Sequence, residues 1–165
     1  MSLCNSDLSE GENTGAITRN ISISDLLKEE SISLDDEAIK SNDIVLIPQQ
    51  KSPDDIIIIK ELRQHGARVW YPSEGLYVDA RGGIWETPLM IINDFAMGVV
   101  TTILVEWITA KVKQYRESKK INVSSNDDQQ PLFTARLYLI REQKYIEVSG
   151  DAQLVEKVLR SLNHG

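Results

Sequence analysis

Cysteine is almost absent from this chain: Cys4 is the only one in 165 residues, which excludes an internal disulfide and a cysteine-based metal site. A lone thiol near a terminus has no tuned environment and is read as incidental. Histidine is nearly as scarce. His65 falls at a helix end and His164 one residue from the C-terminus, and neither has a metal-type neighbour at i+3 or i+4, so no metal and no cofactor are expected. His65 is better read as favourable charge placement at a helix C-terminus. There is no nucleophile elbow, no Walker or dinucleotide pattern, and Gly82-Gly83 is too brief for a phosphate loop. The N-terminus lacks a basic region followed by an apolar run, so no secretory signal is expected and the simplest compartment is the cytoplasm. A basic excess is missing as well. Residues 1–43 hold ten acids against Arg19, Lys28 and Lys40, a net of −7, while residues 44–165 hold fifteen charges of each sign. A neutral body argues against nucleic acid as the partner, because phosphate neutralisation needs a basic face.

What is present fits one globular domain. Hydrophobic content of 41% and charged content of 26% are ordinary, and the length suffices to bury a core. Residues 1–42 read as an acidic, mostly disordered leader, within which Ser24 and Ser33 could each cap a short helix. The domain is expected over 43–163. IVLI at 44–47 reads as a buried strand ended by Pro48. Ser52-Pro53-Asp54-Asp55 starts a helix that stops before Gly66, and Ala67–Tyr71 follows as a strand, giving a β-α-β unit with parallel strands. The runs LYV and IW predict a hairpin with its tip at Ala80–Gly83. Leu132–Ile140 and Lys144–Ser149 predict a second hairpin, and Asp151 caps a closing helix whose Leu154, Val155, Val158, Leu159 and Leu162 share one face.

Pro88–Val112 is the most apolar segment: twenty-five residues with only Asp94, Glu106 and Lys111 charged. Its longest uncharged stretch is the eleven residues Phe95–Val105, short of the roughly twenty that a membrane span needs. We therefore expect a core helix from about Leu89 to Glu117, some 40 Å long at about 1.5 Å per residue. Such a helix outruns strands of about 17 Å and carries more apolar surface than one sheet face can cover. Phe95, Met97, Val100, Ile103, Leu104 and Trp107 are then expected to bind a protein partner or a second copy. Lys111, Lys113, Arg116, Lys119 and Lys120, with Trp107 nearby, leave an alternative open: the same helix resting on an anionic membrane surface. A third option is a small hydrolase built on the polar group Tyr77, Asp79, Arg81, Trp85 and Glu86, if the carboxylates of Asp79 and Glu86 converge. Cross-strand ion pairs on an exposed hairpin explain that group more simply.

The layout of residues 68–149 resembles that of small, poorly characterised bacterial proteins, through Tyr77-Val78-Asp79, Ile84-Trp85 with Pro88, Gly98-Val99-Val100 and the closing YIEVSGDAQLVEKVL. Leu104 to Leu162 also resembles the effector-associated constant component of bacterial conflict systems, which pairs an apolar helix with a β-hairpin and a final helix beginning near Asp. That resemblance implies a non-catalytic adaptor working beside an effector. The expected fold is α+β: a small mixed β-sheet with a long apolar helix and a C-terminal β-hairpin plus helix.

Overall fold

The computed structural model describes residues 15–72, 84–121 and 131–162. In chain order these form β1 (Ala16–Asn20), α1 (Ile23–Glu29), α2 (Asp36–Lys40), β2 (Ile44–Ile47), α3 (Pro53–Gln64), β3 (Val69–Trp70), β4 (Ile84–Ile92), α4 (Met97–Ile121), β5 (Leu132–Leu139), β6 (Lys144–Asp151) and α5 (Ala152–Ser161). The fold is α+β around one mixed six-stranded sheet, ordered β1-β6-β5-β4-β2-β3. β2 with β3 and β4 with β5 run parallel, and the remaining neighbours are antiparallel.

Alternation along the strands sends side chains to two faces. Ile44, Leu46, Met90, Ile92, Phe133, Ala135, Leu137, Ile146 and Val148 meet α3, α4 and α5 in the larger core. Val45, Leu89, Ile91, Tyr138 and Tyr145 meet α1 and α2 in a smaller one. The β-α-β unit, the C-terminal hairpin and the closing helix form as expected, with Ser52 and Asp151 as their helix caps.

The structure differs from the sequence expectations in two places. The first concerns 1–42. From Ala16 onward this acidic stretch is strand and helix: β1 pairs antiparallel with β6, and Leu26 of α1 is completely buried against the sheet. Tyr138 donates to the Ile21 carbonyl at 2.6 Å, and Asn93 donates to the Ile39 and Asn42 carbonyls at 3.0 and 3.3 Å, so both ends of this segment are fastened to the sheet. Ser22 and Asp35 cap the helices, in place of Ser24 and Ser33.

The second difference concerns the apolar segment. A single helix from 89 to 117 does not form. Leu89–Ile92 is the end of β4, paired with β2 on one side and β5 on the other, and the helix begins only at Met97. A strand covered on both faces is apolar at every position, so periodicity cannot tell it from a buried helix. The split also removes the apolar surplus, because four of the large side chains go to the sheet. What remains on α4 (Val100, Ile103, Leu104, Trp107 and Ile108) is buried against the sheet, α3 and α5. Pro88 sits where the β4–β5 register shifts between Glu86 and Leu89, a bulge at which its missing N–H costs no ladder bond.

Candidate functional site

At the end of the sheet where β2 and β3 finish, charged side chains gather in the interior. The chain leaves β2 at Pro48 and turns into α3 through a capping box: Ser52 Oγ accepts from the Asp54 amide at 3.2 Å, and Asp55 Oδ2 accepts from the Ser52 amide at 3.0 Å. Asp55, 2% exposed, also accepts from the Tyr71 hydroxyl at 2.6 Å. Burial pushes the Asp55 carboxyl above its ordinary value, against the lowering effect of the Tyr71 and Ser52 bonds. Asp54 pairs with Lys111 of α4 at 3.0 Å, with side-chain exposures of 12% and 14%. Lys111 Nζ also donates to Gln114 at 3.2 Å and lies 5.3 Å from the centroid of the Trp85 ring. Lys51 sits over Tyr71 at 4.9 Å. Trp85 stacks on Phe133 and meets Tyr115 edge-on. These bonds tie α3, α4, β4 and the segment after β3 into one unit. Each carboxylate is engaged by an internal donor, which suits a structural fastening. Among the described residues no group of three or more His, Cys, Asp and Glu could hold a metal ion.

The residues singled out from the sequence fall in different places. Val100, Ile103, Leu104 and Trp107 are buried in the larger core, and Phe95 and Met97 are half-buried against it. That stripe is therefore interior, and a partner cannot meet it without unfolding α4 from the sheet. The cationic cluster is also divided. Lys111 is committed to Asp54 and Trp85, whereas Lys113 and Arg116 line an open groove of ≈ 430 Å³ together with Glu117 and Glu156. The side chains of Lys119 and Lys120, and all of Tyr77, Asp79 and Arg81, lie outside the described residues. Trp85 and Glu86 are neighbours on a strand and face opposite sides of the sheet, Trp85 against Phe133 in the larger core and Glu86 in register with Thr134. Among the described residues no helix is long and apolar enough to cross a membrane.

Among the described residues, α1 and α2 cover only part of the sheet face on which they pack. Register rows across the strands show where the cover stops. The row Val45, Ile91, Tyr138, Tyr145 packs under the helices, and the row Ile47, Leu89, Arg136 does so up to Arg136, beyond which it continues to Glu147 and Ile17 at the β1 edge. The next rows, Glu86–Thr134–Ser149 and Leu132–Asp151, have no described element over them. Leu132 is 48% exposed, and Ile17, opposite Glu147 on β1, is 46% exposed.

A buried polar cluster marks the boundary. Arg136 bonds Glu30 of α1 at 2.7 Å and donates through Nε to the Tyr145 hydroxyl at 2.9 Å, while Tyr145 donates to Glu147 at 2.6 Å. Burial, and then the bond to Glu147, push the Tyr145 phenol up to about 12. Beside it Arg19 makes two bonds to Glu29, both at 2.9 Å.

No family model, characterised protein or solved structure matches this chain. Its function must therefore be argued from its own surface. The open half-face was not anticipated from the sequence. Its one signal there is Arg136, a charge inside an otherwise apolar strand, with Leu132 and Thr134 on the same side.

Proposed function

We propose that this chain is a non-catalytic interaction module, an adaptor or subunit of the kind used in bacterial conflict systems, that docks a protein partner on the open half of its sheet. The observation that supports it is that two large apolar side chains, Ile17 on β1 and Leu132 on β5, stay exposed on the sheet face that α1 and α2 cover elsewhere among the described residues. Antiparallel strands such as β1, β6 and β5 can leave one face to water with polar residues on it, so large apolar side chains exposed there offer a contact surface. The resemblance of Leu104–Leu162 to the effector-associated component agrees with this role. In this reading the module works in the cytoplasm beside a protein effector. The docking face moves from α4 to β1, β5 and β6, because the α4 stripe is spent on the internal core.

Co-purification from the native host tests this directly. Leu132→Arg is expected to strip the bound partner while leaving the fold intact, since substitution at a half-exposed position changes stability by only about 0.5 kcal/mol. Ile57→Arg, on an exposed position of α3, is the control and should leave the complex whole. Loss with Ile57→Arg and retention with Leu132→Arg would sink the assignment.

A further inference from the structure

We infer that the outward face of α4 pairs with the α4 of a second copy of this chain, antiparallel about a twofold axis between Thr109 and Ala110. This goes beyond the sheet-face reading and does not depend on it, because α4 lies on the other side of the sheet from α1 and α2. α4 buries its Val100, Leu104, Trp107 and Ile108 side, and the opposite stripe of Thr102, Glu106, Thr109, Ala110, Lys113 and Glu117 is exposed. From Thr102 to Glu117 the stripe runs about 24 Å, or four turns. Thr109 and Ala110 keep its middle small, so a second helix can approach closely there. Its charges are unspent: Lys111 is committed to Asp54, but neither Glu106 nor Lys113 makes an ion pair or a side-chain hydrogen bond among the described residues. Two hollows between α4 and α5 show what sign fits where. The first, of ≈ 260 Å³, holds Glu106 and Arg160, and the second is the groove of Lys113, Arg116, Glu117 and Glu156. Arg160 and Glu156 pair with each other at 3.7 Å. That leaves the carboxylate of Glu106 in the first hollow, and Lys113 and Arg116 against Glu117 in the second, so the first is negative and the second positive. A partner surface of a single sign would meet its own sign in one of them. An antiparallel copy brings the two signs in the right order. An axis midway between Glu106 and Lys113 sets Glu106 against Lys113 of the second copy, and Lys113 against its Glu106. A parallel copy would oppose Glu106 to Glu106, and an anionic membrane would meet Glu106, Glu117 and Glu156. One helix pair with flanking α5 residues is a small interface, which makes the dimer reversible, with a Kd in the micromolar range.

Analytical ultracentrifugation of the full chain from about 1 μM to about 1 mM tests this. The wild type should pass from single to double mass, and its Kd should rise with salt. Glu106→Lys and Lys113→Glu each set like charges at both contacts, and each should weaken association by about tenfold or more. Both positions are exposed, so circular dichroism should show each variant folded. Mixing the two variants tests the register. In a mixed pair both contacts again join opposite charges, so the mixture should double in mass at concentrations where each variant alone stays single. Leu132→Arg, across the sheet, should dimerise like the wild type. A wild type that stays single throughout, single variants that associate as the wild type does, or a mixture no heavier than its components overturns the inference. So does loss of the dimer with Leu132→Arg, which would move the second copy to the sheet face.

Discussion

Removing the positive member of the Asp54–Lys111 pair should cost more than a surface ion pair and less than a fully interior one. Exposed pairs are worth about 0–1 kcal/mol, and breaking a wholly buried pair costs about 3–5 kcal/mol. Here the two side chains are 12% and 14% exposed at a separation of 3.0 Å, so Lys111→Met should cost about 2 kcal/mol. Methionine keeps the stem that packs near Trp85, which confines the loss mainly to the charge. For a domain of this size, about 2 kcal/mol corresponds to a fall in Tm of about 4–8 °C. Asp54→Asn should cost a similar amount, and the double variant should be more stable than the summed single losses imply by about 1 kcal/mol. Urea unfolding followed by tryptophan fluorescence reads all four proteins, and Trp85 reports on the site itself. Additive single losses, with a coupling under about 0.3 kcal/mol, would show that the pair is solvated and that α3 and α4 are not fastened through it.

Three further outcomes follow from other parts of the fold. Tyr145 is held neutral in the folded state with a pKa of about 12, above its ordinary 10.0, so its contribution is fully present below pH 10, declines above it and is lost as pH rises through 12. Denaturant midpoints across that window should fall in the wild type and fall less in Tyr145→Phe; equal slopes would refute the burial of the phenol. Glu30→Gln should remove the closer carboxylate of Arg136, leaving Glu147 at 4.0 Å, and cost about 1–3 kcal/mol, with amide exchange rising in α1 before it rises in α4. Gly15→Ala should detach β1, because φ there is +71° and an added Cβ would meet the Ser149 carbonyl oxygen and, at 2.8 Å, Leu154 Cδ2; a loss of about 3 kcal/mol is expected. Gly66→Ala, at φ +93° with open space around it, should lose only about 1 kcal/mol, and equal losses would mean that β1 is not pinned at its start.

The parts legible in the sequence are those punctuated by local chemistry. Ser52-Pro53 and Gly150-Asp151 announce helix starts within four residues, and both helices begin there. Asn93–Ala96 separates β4 from α4 without a strong break, and Leu-Met-Ile-Ile on a two-sided strand looks like the helix that follows it. The leader failed for a different reason. AITRN carries one large apolar side chain, and what holds its segment down is distant: Glu30 to Arg136, Ile21 to Tyr138, Ile39 to Asn93. Such partners, more than fifty residues apart, leave no local trace. The open half-face is harder still, because it is set by how many register rows α1 and α2 reach across, which no residue pattern encodes. Lys111 illustrates the same limit: beside Lys113 and Arg116 it reads as part of a cationic end, yet its position one turn past Trp107 points it at Asp54.

The claim that matters most is the place of docking. A photo-cross-linking phenylalanine analogue substituted for Leu132, with the same residue placed at Ile57 of α3 and Thr102 of α4 as exposed comparators, tests it in the native host. Irradiation should join position 132 to a discrete partner protein and leave positions 57 and 102 free of adducts to that protein. An adduct to it from 57 or 102 with none from 132, or a cross-link from 132 that stays within one chain, would contradict the account.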